Sequence, residues 1–358
     1  MPRVWQGYPW LMNSEPSALA PLPSLPSFRD RADRLRDLIT TGYYMGAVMA
    51  TKMRQQILNP LGVPGNEALL QTVQMFFVND HPAISFAYLA PPNIAYIAHL
   101  RDKGDKGAEE EELPQQLIRF MDNCAYRTVI YASFGTSVRN LTQFTWIHQY
   151  YQHINNLEAC VILKSEPGVG HFNKETVLPV SWVPQRALLA SGRLSFFLSH
   201  CGNNGRIEAI LSLVPMLCIP LVGDQLNSAQ LVKNKAFGVL LRKEDLSFGN
   251  LKNAVLEIKE KREVFVRNME RARDIIRNEP GTGKQRIEFY VKYLVEHGNL
   301  NYLKNNVISQ QSTVEILNLD ILAVFLFGFL TVASLVLFLI ILVIKVLISF
   351  CRIKVKSE

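Results

Sequence analysis

Seven side chains suited to holding a polar ligand fall within the 46 residues from Trp182 to Asn227: Trp182, Gln185, His200, Asn204, Glu208, Asp224 and Gln225. A flat aromatic such as Trp182 can stack on a planar ring of a ligand, and the Gln185 amide can both donate and accept hydrogen bonds. Taken alone, Trp182 reads first as a core aromatic. His200 and Asn204 bracket a turn running from Gly202 to Gly205, ahead of a helix expected at about Arg206. Exposed N–H groups at such a helix start suit a diphosphate. Carboxylates and amides such as Glu208, Asp224 and Gln225 suit neighbouring hydroxyls. Thr136, just past the apolar run 128–132, can donate one more hydrogen bond to a phosphate.

These positions need a frame. Continuous apolar runs at 128–132, 159–163, 177–180, 194–198 and 216–219 alternate with stretches of helical periodicity such as 206–213 and 229–236. That alternation predicts a parallel sheet covered on both faces. In such a sheet ligands bind at the carboxyl ends of the strands. The candidate loops are therefore 133–137, 181–185, 199–205 and 220–225. Upstream, a Pro/Ser-rich loop over 13–28, helix formers from Phe28 to about Leu58, and short strands at 74–79 and 93–97 are expected. The charge run 101–112 (RDKGDKGAEEEE) reads as a solvated linker marking a domain boundary.

Composition narrows the function classes. Hydrophobic residues make up 48% of the 358 and charged residues 19%, which excludes disorder for most of the chain. The net charge of +7 falls to +4 over residues 1–344, too dilute for a phosphate-tracking surface, so nucleic-acid binding is excluded. The five cysteines (Cys124, Cys160, Cys201, Cys218, Cys351) form no CxxC pair and no cluster with His, so neither a metal site nor a disulfide framework is expected. The stretch from Gly281 to Lys284 lacks the first glycine and the Ser/Thr of a P-loop and is expected to be a helix-ending turn. Gly168 and Gly170 lack the third glycine of a dinucleotide fingerprint. Arg29–Asp37 alternates in charge sign, as a solvated helix face does.

From Ile321 to Ile344 run 24 uncharged residues without proline. A helix of that length spans about 36 Å, enough for a hydrocarbon core of about 30 Å. Lys345, Arg352, Lys354 and Lys356 follow it, whereas Glu315 and Asp320 precede it, so the positive-inside rule puts the tail in the cytosol. The ending Lys354–Glu358 resembles a dilysine signal for return to the endoplasmic reticulum. No apolar run suited to a signal peptide opens the sequence. Either a truncated chain or insertion directed by the anchor itself is expected. Asn140-Leu141-Thr142 is an N-glycosylation sequon that a lumenal domain could use.

The 46-residue stretch closely resembles the signature of UDP-glycosyltransferases, the family that includes the membrane-bound UDP-glucuronosyltransferases. It supplies Trp182, Pro184, Gln185, Leu188, Leu189, His200, Gly202, Glu208, Ala209, Pro215, Pro220, Asp224, Gln225 and Asn227 in the family's order. The turn Ser133-Phe134-Gly135-Thr136 resembles the family's Ser/Gly turn, and the likeness extends from about Pro21 to the tail. Cys201 and Leu213 stand where Gly is commoner, Gly205 where Ser is frequent, and Ser191 where His often stands.

The resemblance implies an α/β, GT-B-like fold. A partial acceptor domain with linker would occupy 1–120, a complete Rossmann-like donor domain 121–299, a juxtamembrane segment 300–320, the transmembrane helix 321–344 and a cytosolic tail 345–358. It also implies donor-binding roles for Thr136, Trp182, Gln185, His200, Gly202, Asn204, Glu208 (ribose hydroxyls), Asp224 and Gln225 (sugar hydroxyls), with no metal and no cofactor beyond the UDP-sugar. The expected activity is transfer of a hexosyl group, glucuronosyl foremost, to a small lipophilic acceptor. The expected partners are the bilayer and relatives in a homo- or hetero-oligomer. The family's catalytic His and its orienting Asp belong to an earlier part of the acceptor domain than this chain supplies. Neither His81 nor His99 fits that place, so no catalytic base is assigned. A catalytically incomplete UDP-sugar-binding partner of full-length relatives, or half of a split enzyme, is the alternative.

Overall fold

The computed structural model describes residues 73–85, 92–98, 112–135, 145–165, 170–221, 224–303 and 319–356. The expected loop at 13–28, the helix formers at 28–58, the segment 101–111, His99, Thr136, the Gly168 position and the Asn140 sequon lie outside them. The described residues from 73 to 303 belong to one compact unit, and the terminal helix belongs to a second.

The larger unit is built on six parallel strands. They are β3 (Val129–Ser133), β4 (Cys160–Lys164), β5 (Val177–Val180), β6 (Phe196–Ser199), β7 (Met216–Cys218) and β8 (Gly238–Leu240), in the spatial order β5-β4-β3-β6-β7-β8. β8 was not foreseen, because its three residues are too few to show a period. Successive side chains leave a strand on opposite faces. In β3, Ile130 and Ala132 therefore enter one core while Val129 and Tyr131 enter the other. Both faces are apolar because both are covered by helices. The strand order reverses between β3 and β6, whose residues 130–133 pair with 196–199. That reversal leaves a crevice outside the carboxyl ends of these two strands.

A pair of short parallel strands, β1 (Phe76–Val78) and β2 (Ile94–Tyr96), precedes helix α1 (Gln115–Asp122). The crossover helices α2 (Thr145–Asn155), α3 (Gln185–Ala190), α4 (Asn203–Leu211) and α5 (Gln225–Asn234) follow in turn. Then come α6 (Phe248–Glu260), α7 (Arg262–Asn278) and α8 (Gly283–His297). α7 buries Phe265, Met269, Ala272 and Ile276, a single stripe at helical spacing. α8 holds the β1–β2 pair: Arg286 Nη1 donates to the Tyr96 carbonyl at 2.9 Å, and the Phe77 and Tyr290 rings lie 6.4 Å apart. The stretch from Gly281 to Lys284 follows the end of α7, but it also starts α8. Thr282 is the N-cap, and Gln285, where a P-loop would have Ser or Thr, closes a capping box with it.

Two disulfides overturn the expectation drawn from cysteine spacing. Cys124 is joined to Cys160 and Cys201 to Cys218, across 36 and 17 residues. Sequence spacing shows neither pair, and strand pairing brings the second together. Ser199 is the register partner of Cys218, so a residue two beyond Ser199 reaches the end of β7.

The second unit contains helix α9, Leu319–Lys356. Within its span Leu319–Lys345 an 18-residue stretch has a mean hydropathy of 3.0 and no buried residue, and among the described residues it is the one helix long and apolar enough to cross a membrane. The Thr331 hydroxyl donates within the helix to the Gly328 carbonyl at 2.7 Å, so it presents no unsatisfied donor to lipid.

Candidate functional site

At the β3/β6 crevice lies a cavity of about 430 Å³. Trp182, Gln185, His200, Gly202, Asn204 and Glu208 all line it, and each enters from a loop after a strand or from the first turns of a following helix. Ser133 and Gly135 contribute the end of β3. Trp182 is 60% exposed, so the core-aromatic reading fails; its ring is a wall of the cavity.

Behind that wall runs a chain of hydrogen bonds. Tyr131, stacked on Phe197 at 5.0 Å, donates its hydroxyl to Gln185 Oε1 at 3.1 Å. Burial pushes the Tyr131 phenol up to about 12, with the Glu208 charge adding to burial and a Ser133 hydrogen bond opposing it, so the phenol stays a donor. Gln185 Nε2 then donates to Glu208 Oε2 at 2.6 Å, and Arg186 Nε to Glu208 Oε1 at 2.8 Å. Each donor fixes one oxygen, so the carboxylate is held in one orientation on the cavity wall with lone pairs left for ligand hydroxyls.

His200 is wedged between two glycines. A Cβ at Gly135 would lie 2.6 Å from its Cε1, and one at Gly202 2.5 Å from its Nε2. Its Nδ1 is buried without a hydrogen-bond partner among the described residues. Burial pushes the imidazole below its ordinary range. The Ser133 carbonyl and the Asp224 charge oppose that shift, and the Lys164 ammonium adds to it. His200 is therefore a neutral imidazole at pH 7.

The helix behind it starts at Asn203, not Arg206, with Gly202 as an N-cap that has no side chain to satisfy the first turn. The first intrahelical bond runs from Arg206 N to the Gly202 carbonyl at 3.0 Å. The N–H groups of Asn203, Asn204 and Gly205 precede it and have no acceptor within the helix, an arrangement suited to an anion. No Cβ clash explains Gly205, whose nearest contact would be an ordinary 3.4 Å.

Asp224 and Gln225 stand apart from this wall. Asp224 is exposed at the N-cap of α5, and Gln225 is buried with Oε1 accepting from Leu221 N at 2.9 Å. Neither lines the cavity, although Asp224 is near enough to act on His200. Conversely, Lys164 and Arg186 line it and were not foreseen, and Ser199 and Asn203, within the expected loop 199–205, line it without having been given a role. Lys164 had a signal: it is the first charge after an apolar strand, at the end where ligands bind. His81 is not at this cavity. Its Nε2 lies 2.7 Å from Glu279 Oε1, and its Nδ1 accepts from Ala83 N at 3.0 Å. Among the described residues no group of His, Cys, Asp and Glu could hold a metal ion.

Fold and cavity together define a doubly wound α/β domain with its ligand crevice at the topological switch point. Residues 19–357 match the family described as UDP-glucoronosyl and UDP-glucosyl transferase, and the chain belongs to that family. Among curated relatives, rat 2-hydroxyacylsphingosine 1-beta-galactosyltransferase is 25% identical over 88% of this chain and 59% of its own length. Bovine UDP-glucuronosyltransferase 3A1 is 29% identical over 68% of this chain and 46% of its own. The chain thus spans about half the length of the curated relatives it matches. The solved glycosyltransferase of kitacinnamycin superposes with a TM-score of 0.50 at 18% identity, covering 70% of this chain and 66% of that one, a likeness of fold.

Proposed function

We propose that this chain binds a UDP-sugar in the 430 Å³ cavity and serves the transfer of its hexosyl group to a small lipophilic acceptor. The observation that carries the reading is the convergence, on one wall, of an exposed indole, a carboxylate held by two donors and an unfilled helix start. Trp182 would stack on uracil, Gln185 and Glu208 would hold the ribose, and His200 with Gly202, Asn204 and the first amides of α4 would receive the diphosphate. Thr136 would add a phosphate donor, and Asp224, exposed and near His200, would meet the sugar; Gln225, buried against the Leu221 amide, would act by holding the start of α5. A neutral His200 can accept or donate a hydrogen bond without adding charge. Glucuronosyl is the sugar we favour, because Lys164 gives the cavity wall an ammonium suited to a uronate carboxylate and because the 29%-identical relative bears a glucuronosyltransferase name. No residue is assigned as catalytic base.

Calorimetric titration with UDP tests the site. Binding is expected, and Trp182→Ala should weaken it by about tenfold, the loss of one base stack. No heat at millimolar UDP, or an unchanged affinity in the variant, would refute the assignment. Turnover of UDP-glucuronic acid with a phenol, measured with and without a full-length relative, separates an enzyme from a binding partner.

We further propose that α9 is a single-pass anchor of the endoplasmic reticulum with the donor domain lumenal. Support comes from the four bases beyond Ile344 and the dilysine-like ending. In sealed microsomes protease should trim the tail and spare residues 73–303; the opposite pattern would reverse the topology.

A further inference from the structure

Asn79, in the loop after β1, lies 125 residues from the cavity residue it touches. Its Nδ2 donates to Asn204 Oδ1 at 2.8 Å. Its backbone carbonyl accepts from Asn203 Nδ2 at 2.5 Å, while Asn203 Oδ1 accepts from Arg206 Nη2 at 2.6 Å. The Asn203 amide therefore has only one possible polarity, since a guanidinium can only donate and a carbonyl can only accept. Through that amide the backbone of residue 79 is pinned to the first turn of α4. Beside it, Arg206 Nη2 reaches Asp80 Oδ1 at 3.1 Å, and Arg206 Nη1 donates to the Ile84 carbonyl. The loop 79–84 is thus clamped against the helix start that faces the cavity.

We propose that Asn79 is a positioning residue for the diphosphate, acting through Asn204. A free asparagine can present either its oxygen or its nitrogen to a ligand, and an anion accepts only the nitrogen. The bond from Asn79 occupies Asn204 Oδ1. The Asn204 Nδ2 donors, which have no protein partner among the described residues, are thereby the end left for a phosphate oxygen. Asn203 is poorer in donors, because one of its two Nδ2 hydrogens is already spent on the Asn79 carbonyl. The inference rests on the donor-site reading given above and adds to it a residue from outside the six-stranded sheet.

The test is a double-mutant cycle read by UDP affinity, using the detergent-solubilised full chain. Asn79→Ala should weaken UDP by about fivefold, the loss of one pre-oriented, charge-assisted bond. Uridine, which has no phosphate, should keep its affinity within about twofold, showing that the fold survives. In an Asn204→Ala background the Asn79→Ala substitution should cost nothing further, because the amide it orients is gone. An equal loss in both backgrounds, or a parallel loss of uridine, would show a merely structural role and overturn the proposal. Normal UDP binding in Asn79→Ala would also overturn it, leaving the donor site standing. Absence of UDP binding by the unaltered chain would remove the donor site and the proposal together.

Discussion

Asp80→Asn should lower the stability of the compact unit by about 3 kcal/mol, the low end for breaking a buried ion pair. Arg206 is 2% exposed, and its carboxylate partner Asp80 is 18% exposed in the side chain. The other acceptors the guanidinium finds, the Ile84 carbonyl and Asn203 Oδ1, are neutral. Its Nε is buried without a hydrogen-bond partner among the described residues. The cation also sits in the first turn of α4, where the helix dipole already presents positive charge. Asparagine keeps the shape of aspartate and removes only the charge, so the loss isolates the uncompensated cation. For a unit of this size the midpoint of thermal unfolding should fall by roughly 6–12 °C. Combining Asp80→Asn with Arg206→Met should recover much of that loss, because an apolar chain needs no partner. A shift below about 2 °C in the single variant would contradict the buried-pair account.

Gly135→Ala should abolish most UDP binding, by at least about tenfold, while costing about 1–2 kcal/mol of stability for a left-handed alanine. Gly135 has φ +76°, and its Cβ would enter the slot of His200 at 2.6 Å from Cε1. The ring cannot retreat, since Gly202 closes the other side at a distance that already excludes a Cβ. Displacing the imidazole moves it away from the start of α4 and into the cavity. Gly192→Ala provides the control: φ is +70° there, but nothing lies within 4 Å of the new Cβ. It should show the backbone strain alone, with UDP affinity unchanged. If both variants bind UDP as the unaltered chain does, the wedged imidazole is not part of the site.

Much of this molecule was legible as a pattern of residues. The apolar runs at 128–132, 159–163, 177–180, 194–198 and 216–219 gave strands within a few residues of the observed ones, because buried parallel strands are unbroken in hydrophobicity. The terminal apolar helix needed only its 24 uncharged residues. The choice of loops 133–137, 181–185 and 199–205 followed from the same alternation, and the described parts of those loops meet at one cavity. The departures from the family pattern could not be interpreted in one dimension. Cys201 and Leu213, which stand where glycine is commoner, adopt φ of +57° and +59°. Glycine reaches that region without the Cβ strain other residues meet. Cys201 is held in place by its disulfide and by donating its N–H to Ser199 Oγ at 3.1 Å.

Residue types and their period along the chain thus placed five of the six sheet strands, the terminal apolar helix and the loops that carry polar side chains, since these depend on neighbours a few positions apart. Tertiary structure decided the rest: that Cys201 meets Cys218, that Trp182 faces the cavity while Gln225 turns to a backbone amide, and that Asn79 and Asp80 clamp the start of α4. The Leu221 amide lies only four residues from Gln225, but which way that side chain turns is set by its burial. Parallel strands must be joined by long crossovers, so Cys201 meets a partner 17 residues away and the start of α4 meets partners 125 and 126 residues away, beyond the reach of any local period.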